Sequence, residues 1–169
     1  MKKKLPEEKA VALLKKAGLK ISTAESCTGG LVAGTLINVA GASDVFDEGF
    51  ITYSNRAKRK YLKVKKTTLK RFGAVSIETA REMARGVERH TGSDVGLSTT
   101  GIAGPDGGTK KKPVGLVYIG CHVGGRTKVR ECHFSGSRQH IRWQAVSEAV
   151  SLLTTCLKEY NEKLAEKNV

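Results

Sequence analysis

The sequence predicts an α/β protein: a three-layer α/β/α sandwich around a mixed, mostly parallel sheet with a late antiparallel hairpin. Three observations carry this. Apolar runs with helical spacing alternate with short extended runs through the first half of the chain. Turn residues punctuate nearly every boundary between them. Two extended runs then flank Gly124-Gly125, the pattern of a hairpin. No repeat or linker divides the 169 residues, so 1–169 reads as a single domain with flexible tails at 1–5 and 161–169.

The elements follow in order. Pro6 opens a first helix, Glu7 and Glu8 suit its first turn, and Ala10, Val11, Leu13, Leu14 and Ala17 form its apolar stripe before Gly18 stops it. Leu19 to Thr23 alternates as a strand, Thr28 to Val39 reads as a small-residue helix closed by Gly41, and Phe46 to Tyr53 as a second strand. Asn55 is the expected N-cap of a short helix through Leu62, and Ser76 that of a longer helix with Ile77, Ala80, Met83, Ala84 and Val87 on one face. Asp94 to Thr100 is a strand, and 101–113 a glycine-rich loop. Val114 to Val123 and Lys128 to Ser135 form the hairpin, and a last helix spans about His140 to Tyr160.

Composition narrows the class. A hydrophobic content of 39% supports a packed core. Most of the lysines behind the net charge of +14 read as a solvated basic surface; the functional alternative is an anionic partner, a phosphate-bearing small molecule or nucleic acid, and with aromatics at 5% and no aromatic-interleaved basic stretch nucleic acid is not expected. The four cysteines, Cys27, Cys121, Cys132 and Cys156, contain no CxxC pair, so no metal site is expected. Cys121-His122 and Cys132-His133 instead fall on two hairpin strands, where neighbours point to opposite faces. No secretory signal and no apolar run near the ~18 residues of a membrane span is present, so a cytoplasmic protein with reduced thiols and no membrane partner is expected.

Four segments carry candidate chemistry. Ala24-Glu25-Ser26-Cys27-Thr28-Gly29-Gly30 places a hydroxyl and a thiol where a strand turns into a helix. An N-cap cluster explains one hydroxyl there, but not two glycines whose bare amides can hold an oxyanion or phosphate. Tyr53-Ser54-Asn55-Arg56-Ala57-Lys58 puts a lysine one turn inside a helix at a strand's end, where partial desolvation can free it to act as a base. Thr99-Thr100-Gly101 through Gly104 to Gly108 is a glycine loop without the Gly-Lys-Ser/Thr ending of a phosphate loop. Phe134-Ser135-Gly136-Ser137-Arg138, with Arg142 one turn later, could clamp a phosphate. Ser26 ranks above Cys27 as nucleophile, because no histidine base lies near in sequence.

Together TAESCTGG (23–30), GFITYSNRAK (49–58), FGAVS (72–76), TTGIAGPDGG (99–108), KPVGLVYIG (112–120) and FSGSR (134–138) resemble the CinA C-terminal domain family, the competence/damage-inducible group. The similarity runs from Thr23 to about Leu153. It implies an α/β/α sandwich and a cofactor-free, metal-free amidohydrolase that converts nicotinamide mononucleotide and water to nicotinic acid mononucleotide and ammonia, in pyridine nucleotide salvage. By position, Ser26 matches the family's nucleophile, and Lys58 and Tyr53 its partners in proton transfer. Thr100, Gly101 and Gly104 match the substrate-lining segment, and either Arg138 or Arg142 the phosphate-binding position. Thr28, Gly29, Gly30 and Asn55 complete the expected substrate contacts, with the amides near Gly29 and Gly30 holding the oxyanion. A homodimer is implied. Arg56, Ser137 and Thr99 depart from the residues usual at their positions.

Two other readings compete with the serine hydrolase. A non-catalytic module for a nucleotide or nucleic acid, linked to competence or DNA damage, would use the +14 charge as its footprint. A cysteine amidase would use Cys27 and be sensitive to thiol alkylation.

Overall fold

The computed structural model describes residues 4–167. Its strands are β1 (Ile21–Glu25), β2 (Phe46–Ile51), β3 (Val95–Gly101), β4 (Leu116–Val123) and β5 (Arg126–His133). They form one mixed sheet in the order β2-β1-β3-β4-β5. β1 pairs in parallel with β2 and with β3, while β4 runs antiparallel to β3 and β5 antiparallel to β4. Every residue of central β1 is buried, whereas edge β2 is mostly exposed and carries Asp47 and Glu48, which discourage pairing with another chain.

The helices are α1 (Pro6–Ala17), α2 (Leu31–Ile37), α3 (Asn55–Leu62), α4 (Lys66–Phe72), α5 (Ile77–Thr91) and α6 (Arg138–Lys167). α1, α2 and α6 pack together over one face, where Val11 and Leu14 meet Ala149 and Leu153 in the larger core. α3, α4 and α5 cover the other, around Ala24, Leu62, Val64, Met83 and Val87. This is the expected three-layer sandwich. Glycine sets how closely the second layer sits: a Cβ on Gly96 of β3 would lie 2.0 Å from the Ala84 carbonyl of α5, and one on Gly86 of α5 would lie 2.1 Å from the Leu62 carbonyl of α3. The position of α3, which carries Lys58, therefore depends on Gly86.

Several boundaries differ from the sequence reading. α2 starts at Leu31 rather than Thr28, because Gly29 (φ 59°) and Gly30 (φ 95°) take left-handed conformations that a helix cannot contain. The N-cap of α3 is Ser54, whose hydroxyl accepts from the Ala57 amide at 3.1 Å, and Asn55 becomes the first helical residue. α4 was not expected. It is capped from outside by Glu82 of α5, which accepts from the Lys65 amide at 2.8 Å and the Thr68 hydroxyl at 2.6 Å, a contact without a local sequence signal. α6 continues through the charged segment after Tyr160 to Lys167. Of the expected tails, residues 1–3 and 168–169 lie outside the described residues. Among the described residues no helix is long and apolar enough to cross a membrane.

Candidate active site

The carboxyl ends of β1, β2 and β3 meet at one edge of the sheet, the place where open α/β sheets leave a crevice. Ser26 follows β1 directly, and Thr52 and Tyr53 follow β2. The ladder extends past the strands: the Ser26 amide donates to the Thr99 carbonyl at 3.0 Å and the Thr52 amide to the Glu25 carbonyl at 2.8 Å. Ser26 is thus pinned between two neighbouring strands before its side chain does anything. A cavity of about 270 Å³ opens here, walled by Ser26, Cys27, Lys58, Thr100 and Gly104, with Tyr53 and Arg138 also lining it.

Lys58 enters this cavity from α3 and is only 1% exposed. Its Nζ lies 3.0 Å from Ser26 Oγ, 2.8 Å from the Thr52 carbonyl and 3.3 Å from the Tyr53 carbonyl. Among the described residues no carboxylate forms an ion pair with it. Burial without a compensating anion penalises the ammonium and lowers the amine from its ordinary 10.5 to about 8. A neutral amine has two N–H bonds and one lone pair. The two main-chain carbonyls accept the hydrogens, which leaves the lone pair for the Ser26 hydroxyl proton.

The turn after Ser26 is held from inside. Glu25, 1% exposed, folds its carboxylate onto the start of α2. Its Oε2 accepts from Thr28 Oγ1 at 2.5 Å and from the Gly30 and Val32 amides at 3.0 Å each; its Oε1 accepts from the Ala33 amide at 2.8 Å. A charged cap on a helix N-terminus is favoured by the helix dipole. It also corrects an expectation: the Gly30 amide is occupied by Glu25 and the Gly29 amide by the Ser26 carbonyl at 3.1 Å, so neither is available to an oxyanion. The Cys27 amide, next to Ser26, donates to no other residue among those described. Thr28 is fully buried, bonded to Glu25 and to Thr99 Oγ1 at 2.7 Å.

The two arginines separate. Arg138 stands at the cavity, donating to the Gly104 carbonyl at 2.8 Å and the Tyr53 hydroxyl at 3.2 Å. Arg142 reaches under the turn instead, donating to the carbonyls of Cys27 and Thr28 at 3.0 Å each. Tyr53 is 62% exposed and its phenol is engaged with Arg138; what reaches Lys58 is the Tyr53 main-chain carbonyl. Thr100 donates to the Ala74 carbonyl at 2.7 Å. Gly101 lines the cavity, whereas Thr28, Gly29, Gly30, Asn55 and Arg142 do not.

Comparison with known proteins establishes the family and the fold. The family model of the CinA C-terminal domain matches residues 3–157. The chain belongs to the CinA C-terminal domain family. A competence-damage inducible protein of Clostridium novyi is 61% identical over 135 residues, covering 80% of this chain and 33% of the relative. A CinA-like protein of Kosmotoga olearia is 58% identical over 151 residues, covering 89% and 37%. The chain thus spans about a third of the length of these curated relatives. The crystal structure of the competence/damage inducible protein CihA from Agrobacterium tumefaciens superposes with a TM-score of 0.86 at 42% identity, covering 94% of this chain and 99% of that one.

In this CinA domain the position where Thr99 departs from the usual residue has a visible use, since its hydroxyl joins Thr28 and Glu25 in one buried chain of hydrogen bonds. Nothing in the sequence around Glu25 marks it as a cap, and nothing around Ala74 and Val75 marks them as walls of the cavity. The spacing from Glu25 to Gly30, Val32 and Ala33 is a cap signal only once the two left-handed glycines are known. The Cys27 thiol is pushed up to about 12 by burial, which keeps it protonated and a poor nucleophile. A larger cavity, about 700 Å³, lies at the opposite end of the sheet between the hairpin turn and the end of α6. It brings no hydroxyl and buried amine together. Among the described residues no group of three or more His, Cys, Asp or Glu side chains is placed to hold a metal ion.

Proposed function

We propose that this CinA domain hydrolyses the carboxamide of nicotinamide mononucleotide to nicotinic acid mononucleotide and ammonia, with Ser26 as nucleophile and Lys58 as its base. The observation that carries the reading is the 3.0 Å approach of a buried, carboxylate-free Lys58 Nζ to Ser26 Oγ. Lysine can replace histidine as the serine's base only if it is neutral near pH 8, and burial supplies that.

Neutral Lys58 takes the Ser26 proton as Oγ forms a bond to the carboxamide carbon. The oxyanion meets the Cys27 amide, a type of donor that contributes about 3 kcal/mol in acyl transfer. Lys58 then passes its proton to the departing nitrogen, the C–N bond breaks, and ammonia leaves. A water molecule attacks the acyl ester with Lys58 again as base, giving the carboxylate and restoring Ser26. Arg138, at the mouth, suits the phosphate because its planar fork binds two oxygens at once. Arg142 is held against the carbonyls of Cys27 and Thr28 and does not line the cavity, which makes it a positioning residue for the turn.

Ammonia release from nicotinamide mononucleotide tests this, with Ser26→Ala, Lys58→Met and Arg138→Gln beside the wild type. Loss of about a thousandfold or more in kcat is expected for the first two. Arg138→Gln is expected to raise KM for the mononucleotide while leaving the phosphate-free riboside unchanged. Wild-type turnover by Ser26→Ala, or no ammonia from the wild type, would overturn the assignment.

A further inference from the structure

From Gly49 to Ile77 the sequence has no Asp or Glu. This stretch contains α3 and α4, which both pack on α5 in the same layer of the sandwich and leave their cations exposed. Arg56, Arg59 and Lys60 lie on α3, Lys63 and Lys65 in the turn between the helices, and Lys66, Lys70 and Arg71 on α4. All eight are exposed, and none forms an ion pair among the described residues. A ninth, Lys58, is turned inward to Ser26. Glu82 on the neighbouring α5 brings one negative charge to the base of the ridge, where its carboxylate accepts from the Lys65 amide and the Thr68 hydroxyl, so eight exposed cations face a single adjacent carboxylate. The ridge also continues beyond the two helices. Lys112 donates to the Phe72 carbonyl at the end of α4, which brings the Lys110–Lys112 run alongside.

We propose that the α3–α4 ridge binds the phosphate backbone of duplex nucleic acid, without reading its sequence. Like charges this dense repel one another, and a polyanion relieves that repulsion while releasing its own counterions. A mononucleotide brings one phosphate, for which Arg138 already stands at the cavity, so eight further exposed cations exceed the needs of that substrate. Single strands are bound through free aromatic faces as well as charge. The two aromatics of the ridge are both engaged: Tyr61, 36% exposed, packs against Phe50 (5.9 Å between centroids) and His90 (6.4 Å) with Lys60 over its ring (4.8 Å), and Arg71 covers Phe72 at 5.1 Å. The scarcity of aromatics that weighs against single strands is therefore compatible with a duplex held by its phosphates alone.

The test is fluorescence anisotropy of a labelled duplex DNA of arbitrary sequence with the intact chain, titrated from low to moderate salt. The wild type is expected to bind with a steep decline of log K against log salt. Combining Arg59→Gln, Lys66→Gln, Lys70→Gln and Arg71→Gln is expected to weaken binding at least tenfold and to flatten that slope by about 3 to 4, at about 0.9 per phosphate contact. A charge-matched control, Lys9→Gln, Lys16→Gln, Lys20→Gln and Lys158→Gln, on or beside α1 and α6, is expected to keep the wild-type slope. Thermal unfolding checks that both are folded, and Lys66→Gln with Lys70→Gln alone gives half the slope change should the fourfold variant not fold. No wild-type binding, an unchanged ridge variant, or equal loss in ridge and control would overturn the proposal. So would ridge-dependent binding to phosphatidylserine vesicles without binding to DNA. The outcome is independent of ammonia release, so this proposal and the amidohydrolase reading can fail separately.

Discussion

The Nζ of Lys58 lies 2.8 Å from the main-chain carbonyl of Thr52, at the end of β2, and a helix and a strand end thus jointly fix an amine inside the protein. Because a carbonyl dipole rather than a carboxylate meets that amine, it stays close to losing its proton. The first expectation concerns pH. With the amine at about 8, the neutral form is the minor species at pH 7 and the major one at pH 9. kcat/KM for ammonia release should therefore rise about tenfold between pH 7 and 9, following one ionisation. A profile that is flat over this range, or that falls, would refute Lys58 as the base.

Stability follows the same ionisation with a defined sign. The unfolded chain holds the Lys58 proton up to the ordinary 10.5, the folded chain only to about 8. Folding is thus penalised below pH 8, and the wild type gains stability as pH rises from 8 to 10.5, by about 3 kcal/mol. Lys58→Met lacks this ionisation. Urea unfolding at pH 7.5 and 10.5 should show the stability of Lys58→Met relative to wild type declining by about that amount across the interval, while its turnover is lost at both.

Cys27 lies in the same cavity as Ser26 but is held as a thiol up to about 12. Iodoacetamide at pH 8 should leave turnover intact over an hour, and Cys27→Ala should keep kcat within about threefold. Rapid inactivation prevented by the Cys27→Ala change would instead identify the thiol as the nucleophile.

Glu25→Gln tests the cap on α2. The amide can still accept at the Oε2 position, but its NH₂ would then face the Ala33 N–H, donor against donor. A loss of about 1–3 kcal/mol in unfolding free energy is expected. Because the cap fixes the turn that carries Ser26, kcat should fall more than KM rises.

Gly86→Ala tests the seating of α3. The added Cβ would lie 2.1 Å from the Leu62 carbonyl, which main chain can relieve only by moving. A loss of about 1–3 kcal/mol is expected, with reduced turnover as Lys58 shifts from Ser26. Gly92→Ala is an internal contrast: no atom lies within 4 Å of its Cβ, so any cost there comes from its left-handed φ of 73°.

The layers, and the order of the strands and of every helix but α4, were determined by the sequence alone, because helical and extended periodicities are local and each apolar face needs a cover. The same holds for Ser26, Lys58 and Arg138 as candidates, since each stands at a strand–helix boundary marked by its neighbours. Tertiary structure decided which atoms of those segments are usable. That Lys58 is buried against carbonyls, that Tyr53 approaches it through its carbonyl rather than its phenol, and that Arg142 supports the turn while Arg138 faces the cavity all depend on distances between strands β1, β2 and β3 and the helices beside them. α4 is the same lesson in the fold, a helix whose cap, Glu82, belongs to another element. Periodicity within a segment reports which face is apolar. Desolvation and capping depend on groups brought together from far apart in the chain, and no local pattern carries them.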